Sequence, residues 1–285
     1  MMLRRQDKVG IVCCSNGLSD SARPAVMPLE NALKELGLKP VFSRYLYAGS
    51  SVFDRTGRQR AGVLMEFYRN PGIRAVFDIS GGDLANEVLT NLDFQVIREH
   101  LKPFFGYSDL TVIVNAVFQQ TGRKSYLYQV RNLVMDHSEE QKKNFKDSLL
   151  GNGNGLFQFR TRLIRGTSME GMVVGGNIRC LLKLAGTPFW PDMQDKILFL
   201  ESRGGEVPQM VTYLNQLKQI GVFEQVNGIL LGTFTAMEAG GCLPRMEELV
   251  KNTAGPGIPI AKTEEIGHGT DSKCLIIGKK YRFGV

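Results

Sequence analysis

Three histidines occur in this chain, and one of them is placed where it could do chemistry. His268 sits in Ile266-Gly267-His268-Gly269-Thr270, where flanking glycines make a tight loop able to present an imidazole to a cleft. His100, among Arg98, Glu99 and Lys102, and His137, beside Asp136, read as surface residues. An imidazole acting as a base calls for a hydroxyl to activate and a carboxylate to orient it. The hydroxyl candidate is Ser108 in Gly106-Tyr107-Ser108-Asp109-Leu110. This segment lies between an expected strand and an expected helix, the position at which a nucleophile elbow lifts a serine above a sheet. Gly106 suits such a turn, but Leu110 stands where the elbow usually has a second glycine, and Ser108 taken alone reads first as an N-cap of the helix that follows.

The carboxylate candidate is Glu201, which follows the apolar run Ile197 to Leu200 and so would end a strand. Glu206 is its rival, and a surface ion pair of Glu201 with Arg203 is the non-catalytic alternative. A fourth segment, Ser80-Gly81-Gly82-Asp83, also follows an apolar strand. The backbone amides of Gly82 or Asp83, together with that of Asp109, would suit an oxyanion hole. The same segment also reads as an ordinary glycine turn with Asp83 as a cap, or as an anion cradle at a helix start.

These residues need a scaffold that brings strand ends together. The first half alternates apolar strands (Lys8 to Ser15, Val41 to Ser43, Ala75 to Ile79, Phe104 to Tyr107) with helical patterns (Met27 to Leu36, Gln59 to Arg69, Leu110 to Gln120). Alternation of this kind predicts a parallel sheet with helices on both faces, because parallel neighbours need crossovers. Ligands bind such sheets at the carboxyl ends of the strands, where Gly82 and Ser108 would both fall. The polar stretch Asp136 to Asn154, ending in Gly-Asn-Gly-Asn-Gly, has the composition of a flexible connection. The expectation is an α/β chain with an N-terminal domain over 1–150, a linker over 151–165 and a smaller α/β domain over 166–285. Strands near Met172, Lys196, Ile229 and Leu275 would belong to the second domain.

At 285 residues the chain is near the length at which one core splits into two, and 43% apolar with 22% charged residues is ordinary globular composition. The net charge of +7 favours anionic partners. Nucleic acid is not expected, since the densest cluster, Arg160, Arg162 and Arg165, lacks interleaved aromatic residues for stacking. Five cysteines without C-x-x-C spacing suit a reducing compartment and core packing. No apolar stretch approaches a membrane span, so a cytoplasmic protein is expected. No H-E-x-x-H, P-loop or G-x-G-x-x-G pattern points to a metal or a nucleotide cofactor.

Taken in order, Ser80-Gly81-Gly82-Asp83, Gly106-Tyr107-Ser108-Asp109, Gly171 to Asn177, Ala185-Gly186-Thr187, Leu198 to Glu201 and Ile266-Gly267-His268 resemble the LD-carboxypeptidase family of serine peptidases. That family also contains the microcin C self-immunity hydrolases. The resemblance implies a flavodoxin- or Rossmann-like N-terminal domain carrying the nucleophile Ser108. It also implies a C-terminal domain supplying Glu201 and His268, no cofactor, and a homodimer. It implies hydrolysis of the amide to a C-terminal D-amino acid in murein tetrapeptides. The alternative is cleavage of a peptidyl-nucleotide amide, in which Trp190 would stack on the base. Many family members carry an aromatic residue after the paired glycines, whereas Asp83 stands here, closer to the self-immunity branch. A non-catalytic binding protein on the same fold is the remaining alternative.

Overall fold

The computed structural model describes residues 3–51 and 53–284, which form two six-stranded sheets. The first takes β1 (Lys8–Val12), β2 (Lys39–Phe42), β3 (Ile73–Asp78), β4 (Phe104–Gly106) and β5 (Ser125–Leu127) in the parallel order 2-1-3-4-5. The order reverses at β1 and β3, so a crevice opens at their carboxyl ends, as in flavodoxin-like sheets. β1 and β3 are nearly continuous apolar runs because helices cover both faces. Those helices include α1 (Arg23–Glu35), α2 (Gly57–Arg69), and the short α3 (Asn86–Leu89) and α4 (Phe94–Glu99). α2 opens with a capping box in which the Thr56 hydroxyl accepts the Gln59 amide while Gln59 accepts the Thr56 amide.

The helix that matters most is α5 (Thr111–Thr121). It is apolar on every side, with Val112, Ile113, Val114, Ala116 and Val117 all buried, the pattern of a helix enclosed by protein. One side packs on β4 and β5, and the other packs on the second sheet. Two polar residues within it, Thr111 and Asn115, are also buried.

After α5 the structure departs from the expected flexible connection. Residues 138–145 form α6 (Ser138–Phe145), which continues as a π-helical turn over Lys146–Leu150. Gln141, Phe145 and Leu149 recur at helical spacing and are all buried, so a narrow inward stripe holds a segment whose other faces are charged. The polar majority of residues hid this stripe from a reading based on composition.

The second sheet runs β12-β7-β8-β9-β10-β6. Its central strands β7 (Ser168–Asn177), β8 (Lys196–Ser202), β9 (Gly228–Phe234) and β10 (Ile260–Lys262) are parallel. Its edges β6 (Arg162–Arg165) and β12 (Lys280–Gly284) are antiparallel. Helices α7 (Ile178–Leu182), α8 (Val207–Gln219), α9 (Thr235–Ala239) and α10 (Met246–Thr253) complete the domain.

The expected boundary is crossed twice. β6 lies wholly inside the 151–165 stretch read as linker. The remaining strand, β11 (Leu275–Ile277), was expected in the second domain and pairs antiparallel with β5 in the first sheet. β11 is wholly apolar, and adding it to β5 covers an edge that would otherwise stay open.

Candidate active site

β4 ends at Gly106, Tyr107 stays extended, and Ser108 turns the chain with φ of 57° into a 3-10 turn that leads to α5. A serine in this left-handed region is strained by about 1–3 kcal/mol. The turn is tight: a Cβ added at Gly106 would come within 2.6 Å of Leu110 Cβ. Leu110 can therefore replace the elbow's second glycine because the first leaves it room. Ser108 caps no amide of the following helix, so the N-cap alternative does not describe it.

The next residue anchors the turn. Asp109 is fully buried, and its carboxylate accepts from the Ser15 hydroxyl at 2.6 Å, the Ala85 amide at 2.9 Å and the Lys183 ammonium at 2.5 Å. Its cation comes from the second domain, so this buried charge is paired across the interface. Neither Ser15 nor Lys183 belongs to a motif that would have announced this role.

The glycine turn after β3 is tied differently from the expectation. The Asp83 amide donates to Asn16 Oδ1 at 2.7 Å, as does the Leu84 amide at 3.1 Å. The Asp83 amide is therefore engaged, which removes it from the expected oxyanion hole and leaves Gly82 and Asp109. Asp83 does not cap a helix either. Its carboxylate pairs with Arg179, and its carbonyl accepts from Lys183 at 2.8 Å.

From the second sheet, β8 brings Glu201 to its carboxyl end, 1% exposed. His268 arrives on the loop after β10, and its Nδ1 lies 2.6 Å from Glu201 Oε2. The rival Glu206 caps α8, in a box with Gln209. The histidine loop is pressed against β9, where the Thr233 amide donates to the Ile266 carbonyl at 3.0 Å, and it is closed on itself by the Gly267 amide, which donates to Ser272 Oγ at 3.1 Å. A Cβ at Gly267 would stand 1.7 Å from Thr233 Oγ1, so only glycine lets the loop lie this close. His100 ends α4, and His137 Nδ1 lies 2.8 Å from Thr270 Oγ1, two residues past His268.

The two domains meet at this point. The Tyr107 ring stands edge-on to the His268 imidazole, with centroids 5.1 Å apart. The Tyr107 hydroxyl is pushed well above its ordinary pKa by burial and by the Glu201 charge, so it stays protonated beside the carboxylate. His268 Nε2 is buried with no hydrogen-bond partner among the described residues. No hydrogen bond joins it to Ser108 Oγ, but both residues line one cavity of about 580 Å³ together with Gly81, Gly82, Arg131 and Arg203. A second cavity of about 510 Å³, lined by Asp83, Asn177, Arg179 and Tyr213, also reaches Ser108. Ser108 therefore stands where the two cavities meet. Trp190 is partly buried against the core and lines neither cavity.

An imidazole fixed through one nitrogen by a buried carboxylate, beside a strained serine in a cleft between two α/β domains, is the equipment of a hydrolase. Residues 9–128 match the LD-carboxypeptidase N-terminal domain, and residues 170–283 match the LD-carboxypeptidase C-terminal domain. The chain belongs to the LD-carboxypeptidase family. It is 29% identical to the probable murein peptide carboxypeptidase of Bacillus subtilis, over 98% of this chain and 89% of that one. It is 24% identical to the microcin C7 self-immunity protein MccF of Escherichia coli, over 93% of this chain and 88% of that one. The crystal structure of an MccF-like protein from Bacillus anthracis superimposes with a TM-score of 0.84 at 25% identity, covering 99% of this chain and 94% of that one. Among the described residues, no helix is long and apolar enough to cross a membrane.

Proposed function

We propose that the protein is a serine carboxypeptidase acting on murein tetrapeptides, with Ser108 as nucleophile, His268 as general base and Glu201 as the residue that orients it. The observation that carries this reading is His268 itself: Nδ1 is held 2.6 Å from Glu201, Nε2 has no partner among the described residues, and His268 and Ser108 line one cavity. Held in this way, Nε2 is the nitrogen available to take the proton of Ser108 as its oxygen attacks the carbonyl. The same nitrogen then returns the proton to the departing amine, and water repeats the sequence on the acyl-enzyme. The amides of Gly82 and Asp109 would receive the oxyanion. The likeness to a murein peptide carboxypeptidase over nearly the whole chain supports the substrate class.

A second reading is cleavage of an aminoacyl-nucleotide amide by the same three residues. Its support is the likeness to MccF and the Asp83 carboxylate beside Arg179. We rank it second because Trp190, the one tryptophan, packs against the core and lines neither cavity. Incubation with a murein tetrapeptide and with an aspartyl-nucleotide amide, followed by mass spectrometry, tests both readings. Release of D-alanine, absent in Ser108→Ala, is expected. Release of nucleotide alone would select the second reading, and turnover that survives in Ser108→Ala would reject both.

A further inference from the structure

The cavity that holds His268 has an unbalanced charge. Arg131 reaches it from the 3-10 turn after β5, and Arg203 from the end of β8, two residues past Glu201. Among the described residues no acidic side chain lines it. Arg131 Nε is buried without a hydrogen-bond partner among the described residues. The carboxylate that acts on Arg131 is Asp78, whose oxygens are spent on the Cys14 amide and on the Ser80 amide and hydroxyl. Arg203 adds a like charge, and burial together with that charge draws the Arg131 guanidinium below its usual pKa. Arg203 also borders the second cavity, but there the other arginine, Arg179, is already paired with Asp83. Two guanidinium groups that share a cleft with no acidic side chain lining it among the described residues await an anion from outside.

Position says which part of the substrate supplies it. The group that protonates the leaving amine must stand on the leaving side of the scissile bond, and His268 lines the first cavity but not the second. The leaving amine therefore departs into the cavity that contains the two arginines. Resting on the mechanism proposed above, we infer that Arg131 and Arg203 clamp the α-carboxylate of the leaving amino acid. The acyl part of the peptide would then occupy the Asn177 and Tyr213 side. This clamp would make the enzyme an exopeptidase, since a substrate continuing past that residue has no carboxylate to offer. It spans both domains, so an unligated substrate end would also leave the cleft without a bridge between Arg131 and Arg203.

The test compares a murein tetrapeptide having a free terminal carboxylate with the same peptide ending in a carboxamide. The parent enzyme is expected to prefer the acid by ~10–100-fold in kcat/KM, the range for charge-assisted hydrogen bonds. In Arg131→Gln and Arg203→Gln the preference should fall at least tenfold, chiefly through KM for the acid, with the amide little changed. Arg131→Lys should restore part of it. Equal loss on both peptides, or a parent that cleaves both alike, would overturn the clamp while leaving the peptidase reading intact. If neither peptide is cleaved, the peptidase reading fails. The clamp is then decided by calorimetry on Ser108→Ala: acid bound in preference to amide, with the preference lost on adding Arg131→Gln, supports it. Equal binding or none rejects it.

Discussion

Asn115 and Gly175 hold each other at two points: the Gly175 amide donates to Asn115 Oδ1 at 2.8 Å, and Asn115 Nδ2 donates to the Gly175 carbonyl at 2.9 Å. One turn earlier, Thr111 Oγ1 accepts the Asn177 amide at 3.0 Å. The helix that follows the Ser108 turn is thereby fastened to β7, the strand beside the one that carries Glu201. Removing the clamp leaves a buried amide and a buried carbonyl unsatisfied, each costing about 1–3 kcal/mol. Asn115→Ala should therefore lower the stability by roughly 2–4 kcal/mol in urea titration and reduce turnover in the fraction that stays folded. A midpoint equal to that of the parent would show that the clamp is not structural.

Ser108→Ala should remove at least about 10⁴-fold of kcat, as loss of a triad nucleophile does in other serine peptidases. Ser108→Gly should be equally inactive but more stable by about 1 kcal/mol, because glycine adopts the left-handed backbone without strain. Calorimetric melting of the two variants beside the parent reads both effects. A glycine variant less stable than the alanine one would contradict the strain at this position.

Glu201→Gln keeps the shape of the side chain and removes its charge. Nδ1 of His268 would then face an amide that can donate as well as accept, the favoured tautomer would shift, and the imidazolium of the transition state would lose its partner. A fall in kcat of roughly 10³–10⁴-fold with little change in KM is expected from steady-state kinetics. Turnover within tenfold of the parent would assign Glu201 a packing role.

The cysteines should separate by reactivity. Cys13, Cys14, Cys180 and Cys274 are buried, and burial raises each thiol, that of Cys180 to about 12, so the thiolate that reacts is scarce. Cys242 is half-exposed. Brief iodoacetamide treatment at pH 8 should label Cys242 in the native protein and all five after denaturation. Prompt native labelling of Cys180 would mean that the second domain opens locally around α7.

Much of this arrangement could be read in the residues. Ser108, Glu201 and His268 each follow an apolar strand or lie in a glycine loop, signals that survive without coordinates because strand ends and tight turns have strong local chemistry. What escaped was whatever depends on pairing between distant segments. Ser15, Asn16 and Lys183 act by touching Asp109 or the Gly82 turn, and nothing in their own neighbourhoods marks them. The helix over Ser138–Phe145 escaped because its two inward residues, Gln141 and Phe145, were outnumbered by polar and charged ones. The basic cluster of Arg160, Arg162 and Arg165 proved to be spent on Glu265, Glu247 and backbone carbonyls.

The return of β11 to the first sheet has a consequence for the whole molecule. The polypeptide leaves the flavodoxin-like half, builds the other half, and comes back to lay three residues along β5 before Gly278 turns it out again into β12. Neither half is thus a severable module: a fragment stopping near residue 165 would expose the flank of β5, and a fragment starting there would carry an orphan strand. Melting should accordingly occur as one transition, with the cleft between the halves lost at the same temperature as the last helix.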